Sequence, residues 1–227
     1  MKITDFAELI RCMPYREQAF EVKYEIWKGT EPSKVVENIF RDKDKNGIIT
    51  ISRNDLFRNY CDLEEFVIKV IMWGYPTKGM YGKMYDFIKS EDFKAFIQEL
   101  KNVEKSNIFD MNEIKKLLKF KGLKLSSLSK ILYFMNIKVE SYSSLILDRR
   151  VINTLNSGRF EDSGIEKFKN LKYENAIKNY GNYLKFMHSL AEKMKTETDR
   201  VEMFLYKFGS NLKELTGEEG DLDSLND

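Results

Sequence analysis

Cysteine and histidine are almost missing from these 227 residues: Cys12, Cys61 and His188 are all there are. So few ligands build neither a disulfide framework nor a structural zinc site. A Cys–His nucleophile is equally unsupported, because His188 stands alone beside Phe186 and Met187. No metal and no cofactor is therefore expected. Long apolar runs are absent too. The longest, such as "FVIKVIMWG", are too short and too often charged to span a bilayer. The opening "MKITDFAELIRCM" lacks the apolar centre of a signal peptide. The expectation is a cytoplasmic protein with no membrane partner. Only three prolines and twelve glycines occur, which leaves room for uninterrupted helices.

Hydrophobic residues make up 42% of the chain, enough for a proper core and against global disorder. The length suits one large domain or two lobes around a cleft. Net charge is only +2 and decides nothing by itself, but its distribution does. Residues 111–150 hold nine Lys/Arg against three acids, a segment able to track a phosphate backbone. The end of the chain is acidic, with Lys213 alone against Glu214, Glu218, Glu219, Asp221, Asp223 and Asp227. We expect one helical domain over 1–213 and a disordered acidic tail over 214–227.

The most visible motif is "RDKDKNGIIT". Asp42, Asp44, Asn46 and Gly47 stand where a calcium loop of the EF-hand type places its first ligands and its turn glycine. Position twelve of that loop should be a glutamate closing the site with both oxygens; here it is Arg53. The stretch reads instead as a polar turn followed by a short extended piece, "GIITIS".

Most of the remaining chain reads as helix. Helical spacing predicts helices in "YREQAFEVKYEIWKG", "EPSKVVENIFR", "DLEEFVIKVIMWG", "YGKMYDFIKS", "SEDFKAFIQELKN", "DMNEIKKLLKFKG", "LSSLSKILYFMN", "YENAIKNYGNYLKFMHSLAEKMK" and "TETDRVEMFLYKFG". Asp62 is placed to cap the third of these, and Ser126 or Ser127 the seventh. The expected fold class is all-α, with a non-helical insertion near 42–52.

One pair of helices stands out, "DMNEIKKLLKFKGLKLSSLSKILYFMN", joined near Gly122. On the second helix Leu125, Leu128, Leu132 and Met135 share a face. Lys130 lies opposite that stripe and so points to solvent or to a cleft. Eighteen residues on, Asp148 follows an apolar run in "LDRRV", where a carboxylate suits a helix start.

This arrangement resembles the helix-hairpin-helix DNA glycosylases, in particular the 8-oxoguanine branch and its bacterial glycosylase-like relatives. That family carries a catalytic Lys at the start of the hairpin's second helix and a catalytic Asp about twenty residues later. The segments "MWGYP" and "DRVEMFLYKFG" are also similar to stretches of the family, and the likeness runs over about residues 60–210. One departure stands out. Where the family's hairpin has two phosphate-binding glycines, this chain has Ser126 and Leu128 in "SSLSK".

The resemblance implies a two-lobed helical enzyme that binds duplex DNA, flips a modified base and cleaves its N-glycosidic bond. Lys130 would be the nucleophile and Asp148 the acidic partner. It implies DNA contacts from Lys121, Lys124, Ser126, Ser127, Ser129, Arg149 and Arg150. Trp73, Tyr75 and Phe134 would line the base pocket or wedge the duplex. An ordinary lysine, with a pKa of about 10.4, is only about 0.04% neutral at pH 7, so a nucleophilic role needs burial or positive neighbours. The role could be repair or defence against modified phage DNA. Two other classes stay open: a DNA-binding protein without catalysis, and a helical interaction scaffold.

Overall fold

The computed structural model describes residues 1–30, 32–57, 60–77, 81–104, 108–209 and 211–212. The expected acidic tail at 214–227 lies outside them. The chain is mostly helical, but it is not purely all-α: two small sheets break the helical run. The α-helices are α1 (Ala7–Arg11), α2 (Tyr24–Trp27), α3 (Ser33–Ile39), α4 (Arg53–Leu56), α5 (Leu63–Gly74) and α6 (Tyr81–Lys89). They continue with α7 (Glu91–Glu104), α8 (Met111–Leu117), α9 (Leu125–Phe134), α10 (Arg149–Asn156), α11 (Ala176–Met194) and α12 (Thr198–Lys207).

The first sheet corrects the expectation of a helix over "YREQAFEVKYEIWKG". Its centre is strand β1 (Ala19–Lys23), antiparallel to β2 (Ile48–Ser52), with Glu21 opposite Thr50. The extended piece after the polar turn needed a partner for its backbone N–H and C=O groups, and 19–23 supplies it. The only helices left in that stretch are a 3-10 turn at Tyr15–Glu17 and the single turn of α2. The second sheet joins β3 (Ile108–Phe109), β4 (Lys138–Val139) and β5 (Tyr142–Ser143).

The polar turn expected at 42–47 is present. Asp44 Oδ1 accepts from the N–H groups of Asn46 and Ile48, both at 2.8 Å, and Gly47 takes the positive φ of 73° that the turn requires. Arg53 points the other way, into the interior.

Two helices organise the core. On α5 Leu63, Phe66, Val67, Ile68, Val70, Ile71, Met72 and Trp73 are all buried, and Asp62 caps its start by accepting from the Glu65 N–H at 2.8 Å. It packs on α3, α4, α7, α9 and the β1–β2 ribbon. Every residue of α9 is buried, so its polar residues Ser126, Ser127, Ser129 and Lys130 must find partners inside the protein. The expected serine cap of α9 is replaced by Lys124, whose side chain makes no capping bond. The remaining wall is α10 and α11, each packed against α12.

Candidate active site

The end of α5, the start of α9, the head of α10 and the middle of α12 enclose one pocket of about 420 Å³. Lys130 lies in it and is 7% exposed. Its Nζ donates to the carbonyl oxygen and to Oγ of Ser126, one helical turn back, both at 3.0 Å. Burial pulls its pKa down, as does the nearby Arg53 guanidinium; Asp148 and Glu202 work in the opposite direction, and burial wins. The room for this side chain comes from Gly74. A Cβ there would stand 3.0 Å from Lys130 Cδ and 3.3 Å from Cε.

Asp148 caps α10. Its Oδ1 accepts from the N–H groups of Arg150 and Val151 at 2.9 and 3.1 Å. Oδ2 makes no hydrogen bond among the described residues, and the side chain lines the same pocket as Lys130. The next two residues, Arg149 and Arg150, are exposed and line it too. Their guanidinium groups lie over Tyr173 and Tyr206, at 5.8 and 4.9 Å from the ring centroids. Burial pushes Tyr173 up to about 12, helped by Tyr75 and opposed by Arg149.

The deep end of the pocket is an ion pair. Arg53 and Glu202 are each 1% exposed, with Nη1 2.8 Å from Oε2. Arg53 also donates through Nε to Gln18 Oε1 at 2.7 Å and through Nη1 to the Tyr133 hydroxyl at 3.2 Å. Arg53 is the counter-charge of Glu202, and both side chains are enclosed. Burial raises the Glu202 pKa; Arg53 opposes the rise and Asp148 adds to it.

Of the side chains expected from the sequence, the fold gathers Lys130, Asp148, Arg149, Arg150, Ser126, Trp73 and Tyr75 around this pocket. Phe134 is not among its walls; it is buried against Trp73, Phe57 and Tyr133. Trp73 is buried as well, so neither ring is free to wedge a duplex. Ser127 and Ser129 correct the expectation of phosphate-binding hydroxyls. Ser127 Oγ is bonded to the Tyr75 hydroxyl at 2.7 Å, and Ser129 Oγ accepts from the Leu147 N–H at 3.1 Å. Both are sealed because α9 is covered on all sides. Lys121 and Lys124 are exposed, beside the hairpin turn where Gly122 takes a positive φ of 95°.

Sequence reasoning missed Arg53, Gly74, Tyr173, Glu202 and Tyr206. Two of them left a trace. Arg53 is the residue that spoils the calcium pattern, and Glu202 is an acid inside the buried run Val201–Leu205.

Between them, these groups offer an amine whose charged form is disfavoured, a carboxylate with a free oxygen and a buried acceptor at the floor. Comparison with known proteins supplies a family. Residues 14–206 match the model of a family described as "Putative 8-oxoguanine DNA glycosylase OGG-like protein". The chain belongs to that OGG-like glycosylase family, since the match covers most of its length. Searches of curated proteins and of solved structures found no match. Among the described residues, no helix is long and apolar enough to cross a membrane.

Proposed function

We propose that the chain is a DNA glycosylase of the helix-hairpin-helix type, formed by one domain over 1–213, that flips a modified base from duplex DNA and excises it. The observation that carries this reading is the pairing of a buried Lys130 amine with Asp148 in one pocket, eighteen residues apart. Neutral Lys130 attacks C1′ of the flipped nucleotide. The new N–C1′ bond forms as the N-glycosidic bond breaks, and its electron pair leaves with the base, which takes up a proton. Asp148 stabilises the positive charge that develops on the sugar and accepts a proton from the attacking amine. The nitrogen lone pair then forms the C1′=N bond of a Schiff base as the C1′–O4′ pair leaves on O4′, which takes the proton held by Asp148, and strand cleavage by elimination follows. Arg149, Arg150, Lys121 and Lys124 provide charge for the phosphate backbone. The excised base is either a lesion or a modification of foreign DNA, which gives the protein a role in repair or in defence.

Borohydride trapping on duplexes carrying 8-oxoguanine and other modified bases tests this. A covalent adduct that disappears in Lys130→Ala is the expected result. Abasic sites that need Asp148 but never form an adduct would replace the lysine with water as nucleophile. Neither adduct nor abasic sites on any substrate would overturn the glycosylase reading in favour of a DNA-binding protein without catalysis.

A further inference from the structure

Helix α9 starts without the cap that its serines offer. Lys124 takes the N-cap position and makes no side-chain bond there. Ser127 is turned to the Tyr75 hydroxyl. Ser126 is turned along the helix, and its two oxygens are the hydrogen-bond partners of Lys130 Nζ among the described residues, both at 3.0 Å. The two acceptors are not equal. The carbonyl oxygen is shared, since Ser129 Oγ also donates to it at 3.3 Å. Ser126 Oγ makes no other hydrogen bond among the described residues, so its lone pairs serve Lys130. The charged groups that face the amine are Asp148 at the head of α10, Glu202 from α12 and Arg53 from α4. Neither carboxylate forms an ion pair with it among the described residues.

A count of hydrogens gives this contact a consequence. A neutral primary amine has two N–H bonds and one lone pair; the ammonium has three N–H bonds and no lone pair. The stem is confined at Gly74, where even a Cβ would come within 3.0 Å of Cδ. With both N–H bonds of the neutral form taken up by Ser126, one tetrahedral direction at Nζ remains, and the lone pair occupies it. In the ammonium the third N–H takes that direction and meets no acceptor among the described residues, a cost that falls on the charged form alone. We propose that Ser126 is the positioning residue of Lys130: its hydroxyl and carbonyl oxygens hold both N–H groups of the neutral amine and so turn the lone pair away from α9, toward a carbon that enters the pocket. Resting on the glycosylase reading, that carbon is C1′ of the flipped nucleotide. A lysine stem that would otherwise sample many rotamers is then held in one near-attack arrangement before substrate arrives. The serine hydroxyl is turned inward to the amine, and not outward to a phosphate.

Three substitutions in the full chain test this. Ser126→Ala removes Oγ and leaves a good helix former in the first turn. Ser126→Cys keeps the shape with a weak acceptor, and Ser126→Thr restores a hydroxyl. The first readout needs no DNA: reductive methylation of Lys130 by formaldehyde and cyanoborohydride across pH, followed by peptide mass spectrometry. An acceptor favours the charged amine more than the neutral one, so the midpoint should fall further in the Ala and Cys variants and return in the Thr variant. The second readout is single-turnover borohydride trapping at saturating concentrations of a modified duplex that the wild type traps. The plateau rate should drop about tenfold to a hundredfold in the Ala and Cys variants, with DNA affinity unchanged, and recover in Thr. An amine that is more often neutral and yet slower is the signature of lost positioning; a serine that merely supports the helix would move neither value. An unmoved midpoint, or a plateau rate equal to that of the wild type, would overturn the proposal. If Ser126→Ala loses its tertiary fold by near-ultraviolet circular dichroism, Ser126→Cys decides. A wild type that traps on no modified base would sink the glycosylase reading, and the methylation midpoints would still decide whether Ser126 holds the amine.

Discussion

Replacing Arg53 with Met should be among the most damaging single changes in this protein. The side chain is 1% exposed and is the charged partner of an equally buried Glu202. Methionine removes the cation, its bonds to Gln18 and Tyr133, and its place against the Trp73 and Tyr133 rings. Breaking a buried pair from one side costs about 3–5 kcal/mol, most of it from the carboxylate left without a counter-charge. For a chain of this size that corresponds to a fall in Tm of about 6–20 °C. Equilibrium urea unfolding of the wild type, Arg53→Met, Glu202→Leu and the double variant measures it. The double variant should be more stable than Arg53→Met alone, because no charge remains to be buried. The pH dependence has a definite sign. Glu202 already titrates above the ordinary carboxylate range, and without Arg53 it rises further. A carboxyl raised in the fold favours folding below its unfolded pKa of about 4.3 and loses that contribution as pH climbs through the folded value. Arg53→Met should therefore gain stability relative to wild type as the solution is acidified from neutral. A variant within about 1 kcal/mol of wild type at neutral pH, or one with no such relative gain, would refute the claim that the pair carries an uncompensated charge when broken.

Three further outcomes follow from the same site. Burial lowers the Lys130 pKa, so borohydride trapping should rise with pH and reach its plateau below the range of a free lysine; a rise only near pH 10 would show an unperturbed amine. Asp148→Asn should keep the α10 cap, whereas Asp148→Ala should lose about 0.5–2 kcal/mol in urea unfolding. Base excision should fail in both, and an active Asp148→Asn enzyme would exclude the carboxylate from the chemistry. Gly74→Ala should slow trapping at least tenfold with near-native stability, because the new Cβ meets the flexible Lys130 stem at 3.0 Å rather than backbone; unchanged trapping would mean the amine does not use that path.

Several parts of this molecule were legible without coordinates. The α5 helix from Leu63 to Gly74 announces itself by Asp62 at its cap, acids in its first turn and the Gly-Tyr-Pro stop. Asp148 as the head of α10 is readable because an acid before two arginines satisfies the free N–H groups of a first turn. The pairing of Lys130 with Asp148 rests on a resemblance, and the fold does bring both side chains to one pocket. The strand at Ala19–Lys23 was not legible, since "AFEVK" satisfies a helical and an extended pattern alike until its partner at Ile48–Ser52 is known.

Legible from neighbouring residues were a mostly helical chain, the Asp62 and Asp148 caps, the arginine at the closing position of the calcium pattern and the local charge of the hairpin. Those depend on neighbours within a turn or two, whose chemistry is written side by side. Tertiary structure alone decided that Lys130 is buried instead of solvated, that Ser127 and Ser129 are sealed, and that Arg53 meets Glu202 across 149 positions. Burial and the pKa shifts it causes depend on which segments meet, and that is set by packing of the whole core and not by any stretch of it.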